Sequence, residues 1–73
     1  MINVSKYKYY HHDIYENLLV RYDESEKNVE QYYKNRGWRL NLDRYDAVIG
    51  IDPFYSVVNM DQANEIIRRI DSG

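Results

Sequence analysis

Residues 6–13, KYKYYHHD, gather three tyrosines, two histidines, two lysines and an aspartate into eight positions. Four chemistries fit such a stretch: a stacking platform for bases, a metal site, an acid–base pair, or a partner-binding face. His11-His12-Asp13 is the one metal-like cluster in the chain. On a strand, however, neighbouring side chains point to opposite faces, so both imidazoles do not reach one ion, and a third and fourth ligand are not evident. The expectation is no metal site. The four serines, at 5, 25, 56 and 72, sit in no nucleophile motif, and no glycine-rich phosphate loop is present. The sequence therefore points away from an enzyme, implies no cofactor, and directs attention to binding.

Charge separates the binding classes. The net charge is −2, but it is unevenly spread. One acidic block runs from Asp13 to Glu30 and includes Asp23, Glu24 and Glu26; a second runs from Asp43 to Glu65 and includes Asp46 and Asp52. Lys6 and Lys8 beside exposed tyrosines would suit base stacking, yet the acidic blocks repel phosphate, so direct nucleic-acid binding ranks third. The opposite sign is the sharper reading: Asp23, Glu24, Glu26, Glu30, Asp43, Asp46 and Asp52 are candidates to imitate DNA phosphates inside a basic channel of another protein.

The elements that must position these residues belong to one small domain. A chain of 73 residues buries only about 60% of its unfolded surface, and small scaffolds need a staple. No cysteine is present, so self-association, most simply a homodimer, is the staple expected. Nine tyrosines supply large rings with a hydroxyl that stays wet, which suits interfaces. Tyr7, Tyr9, Tyr15 and Tyr55 are the candidates for dimer or partner contact. No apolar run approaches a membrane span, and MINVSKYKYY lacks the apolar core of a signal peptide; the expectation is a cytoplasmic protein.

Residues 2–10 read as a strand, with Ile2, Val4 and Tyr10 on the core side and Tyr7 and Tyr9 opposite. Residues 14–22 fit either a strand or a helix; the strand is favoured because a helix start follows directly at Asp23, with Glu26 three residues on. A helix over about 24–36 is expected, from Val29, Tyr32, Tyr33 and Arg36 at helical spacing and Gly37 as its stop. Residues 38–43, 45–51 and 54–60 read as strands. A last helix over about 61–71, capped by Asn59 with Gln62 or by Asp61, carries the stripe Ala63, Ile66, Ile67, Ile70. The predicted fold is α+β: a mostly antiparallel sheet of three to five strands with two helices.

Short length, no cysteine, scarce alanine, and stretches such as NLLVRYDESEKNVEQYYKNRGW and YSVVNMDQANEIIRRI give a chain that resembles the small early proteins of phages infecting low-GC Gram-positive bacteria. Within that group it is similar in style to the dimeric staphylococcal-phage inhibitors of the bacterial DNA sliding clamp. The resemblance implies a non-enzymatic inhibitor of a host DNA-processing protein, the sliding clamp first, acting in the host cytoplasm on its basic DNA channel. It does not imply a clamp-groove peptide, because neither Gln31 nor Gln62 is followed by the aliphatic-then-aromatic ending such peptides carry. An anti-defence inhibitor of a CRISPR effector or restriction nuclease is the alternative with the same physics.

Overall fold

The computed structural model describes residues 6–73. Five strands form one antiparallel sheet in the order β4-β3-β2-β1-β5. The strands are β1 (Tyr7–His12), β2 (Leu19–Asp23), β3 (Asn28–Tyr33), β4 (Gly37–Leu40) and β5 (Tyr55–Val58), with helices α1 (Tyr45–Ile49) and α2 (Met60–Ser72). The architecture is α+β, as the patterning predicts; Ile2 and Val4 lie outside the described residues.

Register assigns the faces. Tyr9 pairs with Arg21 and with Val58, Arg21 with Glu30, and Tyr32 with Trp38, so these side chains share one face. On that face Leu19 packs with Ala63, Ile66 and Ile70 of α2, edged by Tyr9, Tyr32 and Trp38. The other face carries Tyr10, Val20, Tyr22 and Val29 against Ala47 of α1, with Leu18 joining them from the β1–β2 loop. Of the strand expected over 14–22 only 19–22 is strand, extended by Asp23, and 14–18 is loop; adjacent Leu18 and Leu19 enter opposite layers. α2 starts as its sequence predicts: Asn59 Oδ1 accepts from Gln62 N at 2.8 Å and Gln62 Oε1 from Asn59 N at 2.9 Å, a reciprocal cap.

The helix expected over 24–36 is instead a four-residue turn followed by strands β3 and β4. Its start signal is real but ends differently. Asp23 Oδ1 accepts from the backbone N–H of Ser25 at 3.0 Å and of Glu26 at 3.4 Å, the bonds that a helix cap makes. Lys27 then takes φ 58°, which turns the chain back as a hairpin. Asn35, with φ 60°, turns it again into β4; asparagine tolerates this left-handed region better than most residues. The helical stripe collapses accordingly: Val29 is buried, whereas Tyr33 is exposed. The strand expected over 45–51 is likewise corrected. Asn41 accepts from Asp43 N and starts a 3₁₀ turn, Leu42–Arg44, that runs into α1. Gly50, at φ 78°, ends α1.

Asp23 is only 2% exposed. The hydroxyl of Ser25 (2.8 Å), the Glu26 N–H, the Lys6 ammonium (3.3 Å) and the Ser25 N–H together hold its carboxyl below the ordinary carboxylate range, against the effect of burial. A depressed folded value gives stability that is fully present above the unfolded carboxylate value, about 3.9, and is lost as pH falls through the folded one. Asp23→Asn is therefore expected to lower the urea midpoint at neutral pH and to flatten the acid limb. Urea melts from pH 7 downward check this; an acid limb as steep as that of the parent chain would contradict it.

Candidate binding site

The two adjacent histidines part company as strand alternation requires. His11 turns to the α2 side, where its Nε2 donates to the Glu16 carbonyl at 2.8 Å. His12 turns to the other face and is 3% exposed. Its Nδ1 accepts from the backbone N–H of Ile14 at 3.1 Å and of Tyr15 at 3.0 Å. An imidazole nitrogen that accepts carries no proton, so the proton sits on Nε2, which donates to Asp52 Oδ2 at 3.3 Å. Asp52 Oδ1 in turn accepts from Phe54 N at 2.9 Å.

This His–Asp pair differs from a catalytic one. In a general-base pair the nitrogen facing away from the carboxylate keeps a free lone pair. In His12 that lone pair is occupied by two backbone donors, and the other nitrogen holds its proton toward Asp52. The residue is arranged to join the β1–β2 loop to the 50–54 segment. Among the described residues no group of three or more His, Cys, Asp or Glu side chains is placed to hold a metal ion.

His12 forms part of the wall of a cavity of about 400 Å³, with Tyr15, Asn17, Leu18, Gln31, Arg44 and Asp52. Gln31 and Arg44 are held in place: Gln31 Oε1 accepts from Arg44 Nε at 3.0 Å and from Asn41 Nδ2 at 3.1 Å. Tyr55 stands beside them, its hydroxyl pushed up in pKa mainly by burial, with Asp46 and Asp52 adding to the rise and Arg44 opposing it. One oxygen of Asp46, Oδ1, is buried without a hydrogen-bond partner among the described residues.

Around this cavity the surface is apolar. Ile14 is 59% exposed, Tyr15 65%, Ile51 70% and Phe54 48%. The Tyr15 and Phe54 rings lie 4.8 and 6.1 Å from the His12 ring, and the Asp13 N–H donates to the Phe54 carbonyl, which joins the two loops edge to edge. Tyr15 lines the cavity, Ile14 and Ile51 are chain neighbours of the lining residues Tyr15 and Asp52, and large exposed side chains grouped beside a pocket are the usual make-up of a docking surface. Asp13 and Glu16, both exposed, flank this group.

The seven acidic candidates do not form one patch. Asp23 is buried in its turn, Glu30 is paired with Arg21 at 2.6 Å, and Asp52 is engaged by His12. Asp46 is half-buried, and Glu24, Glu26 and Asp43 remain exposed. Of the four tyrosine candidates, Tyr15 is exposed and beside the cavity, whereas Tyr55 is half-buried against the core. Tyr9 is half-buried 6.0 Å from Trp38. The Arg21 guanidinium lies between Tyr7, 3.9 Å away, and Trp38, 4.4 Å away, a stacked cation that occupies the Tyr7 ring. Ile14, Ile51 and Phe54 escape sequence reading as site residues, since each looks like an ordinary core residue; the Asp52-Pro53 turn signal is the one hint that Ile51 and Phe54 flank a loop. Among the described residues no helix is long and apolar enough to cross a membrane. Compared with family models, curated proteins and solved structures, the chain has no match in any of the three.

Proposed function

We propose that this chain is a small non-enzymatic inhibitor that works by covering the surface of a DNA-processing protein, the bacterial sliding clamp being the first target to test, in the cytoplasm of a host bacterium. The observation that carries the binding reading is the exposure of Ile14, Tyr15, Ile51 and Phe54 on the two loops joined at His12, with Tyr15 in the cavity wall: four large side chains that the fold leaves in water although its core is small. Aromatic groups in such positions act as anchors. The exposed acids, Asp13 and Glu16 beside this group and Glu24, Glu26 and Asp43 elsewhere, supply the field that draws the chain to a basic DNA-binding face. Glu30 is left out of that role because its charge is paired with Arg21, and Asp52 because its oxygens are taken by His12 Nε2 and Phe54 N. The target class comes from the resemblance in size, composition and sequence style, joined to this charge pattern.

The test is direct binding to purified sliding clamp at several salt concentrations. The parent chain is expected to bind, less tightly as salt rises. The double variant Tyr15→Ala, Phe54→Ala is expected to weaken binding at least about 30-fold with unchanged circular dichroism. Neutralising Glu24, Glu26 and Asp43 to their amides is expected to reduce the salt dependence. Absence of clamp binding removes that target; binding to DNA without any protein overturns the reading altogether.

A further inference from the structure

Strand β5, Tyr55–Val58, lies at one edge of the sheet. The pairing determines which of its backbone groups are spent. The Asp13 N–H donates to the Phe54 carbonyl, in the same register as His11 opposite Ser56 and Tyr9 opposite Val58. Antiparallel pairing alternates, so Ser56 and Val58 turn their N–H and C=O groups toward β1, as Phe54 turns its C=O, its N–H going to Asp52. Tyr55 and Val57 turn theirs to the open edge, where no described strand lies beyond them.

Sheet edges are normally blunted by charge, proline or a bulge. The opposite edge follows that rule, since β4 carries Arg39 and is preceded by Lys34 and Arg36. β5 does not. From Phe54 to Met60 there is no charged residue and no proline, and Val57 stands 60% exposed.

We propose that β5 pairs with β5 of a second copy of this chain, antiparallel about a two-fold axis, so that two five-stranded sheets continue as one. A single register satisfies every outward group. With Ser56 opposite Ser56 on the axis, Tyr55 faces Val57 of the second copy at both ends, and four N–H···O=C bonds form. Sliding toward the C-terminus sets Tyr55 against Asn59, whose N–H is already donated to Gln62 Oε1 at 2.9 Å. Sliding the other way sets Val57 against Pro53, which has no N–H. The favoured register also covers each exposed Val57 with a tyrosine ring, an aromatic–β-branched cross-strand pair. It extends the reading of a protein-binding chain by naming the surface used between copies, and it is tested on the purified chain alone, so its failure is separate from failure of the partner reading.

The experiment measures molar mass by light scattering and sedimentation over a wide concentration range for the full chain and its variants. A reversible dimer is expected. Val57→Lys, placing charge on the open edge, is expected to raise the dimer dissociation constant at least about tenfold. Leu40→Lys, the same change on β4, is expected to leave it unaltered. The chain has no cysteine, so Ser56→Cys introduces a lone thiol on the axis. There, opposite Cα atoms in a non-hydrogen-bonded pair sit about 4.5 Å apart, within disulfide reach. Mild oxidation is expected to give a covalent dimer from Ser56→Cys and not from Leu40→Cys. A monomeric mass at every concentration, an undiminished dimer in Val57→Lys, or cross-linking through Leu40→Cys in place of Ser56→Cys would each overturn the proposal. If Val57→Lys does not fold, the Ser56→Cys cross-link decides.

Discussion

Replacing Leu19 with alanine is expected to destabilise the fold by about 2–5 kcal/mol, the range for a leucine truncated in a well-packed interior. Leu19 has no exposed surface and sits among Ala63, Ile66 and Ile70. At about 0.05–0.15 kcal/mol per residue, a chain this short has few kilocalories to lose. Leu19→Ala is therefore expected to be largely unfolded near physiological temperature. The site has little means of collapsing onto the void. On its α2 side the sheet meets three buried aliphatic side chains of the helix, with half-buried Ile67 beside them, and one of the three is an alanine that cannot reach further. Urea denaturation followed by far-ultraviolet circular dichroism measures the loss. Leu40→Ala, at a position 60% exposed, is the control and should change stability by no more than about 0.5 kcal/mol. A Leu19→Ala loss as small as that of the control would mean that α2 does not depend on this contact.

Leu19 also marks where the strand expected over 14–22 holds in part, since 14–18 is loop and no helix starts at Asp23. Its neighbour Leu18 packs on the opposite layer, and two adjacent buried leucines facing opposite ways are compatible with an extended chain between two layers. α2 is legible for another reason. Its cap, its apolar stripe and its length are local features, and all three agree. The β2–β3–β4 region is where reading fails. Asp23 with Glu26 and the spacing of Val29, Tyr32, Tyr33 and Arg36 satisfy a helix template, and the capping bonds form. What decides against the helix is non-local: Arg21 opposite Glu30, Tyr32 opposite Trp38, and Val29 packed under Tyr22 and Ala47. Such pairings reward an extended chain, and a single-sequence pattern does not contain them. The left-handed Lys27 and Asn35 are equally hard to foresee, since neither is a glycine.

The site divides in the same way. That His11 and His12 serve different faces follows from strand alternation and needs no structure. Which acids are free does not follow, because it depends on partners far along the chain: Lys6 for Asp23, Arg21 for Glu30, His12 for Asp52. A count of carboxylates overstates the negative surface for this reason. The apolar group is invisible to composition, because Ile14, Ile51 and Phe54 become a surface only when two loops meet through the Asp13–Phe54 and His12–Asp52 bonds.

Those bonds make His12 the second position where a substitution should act strongly. His12→Ala is expected to cost about 2–4 kcal/mol, from two backbone donors left without an acceptor and a buried ring removed. The assigned tautomer predicts more than the size of the loss. Asparagine places its oxygen near the position of Nδ1 and so keeps an acceptor for the Ile14 and Tyr15 N–H groups while giving up Asp52. Glutamine places its amide near Nε2 and so can reach Asp52 while leaving those two N–H groups unsatisfied. Because two bonds to the backbone outweigh one to a half-exposed carboxylate, His12→Asn should retain more stability than His12→Gln, and both more than His12→Ala. Asp52→Asn should be milder than His12→Ala, since its single amide oxygen still accepts from either Nε2 or Phe54 N, which bond to different oxygens of Asp52, and only one of the two bonds is lost. Chemical denaturation of the four variants gives the order. Hydrogen exchange at Ile14 and Tyr15 gives the cause, with protection kept in His12→Asn and lost in His12→Gln. Equal protection in those two variants would show that Nδ1 is not the acceptor that ties the loop down. The group of Ile14, Tyr15 and Phe54 would then have to be held by the Asp52 side alone.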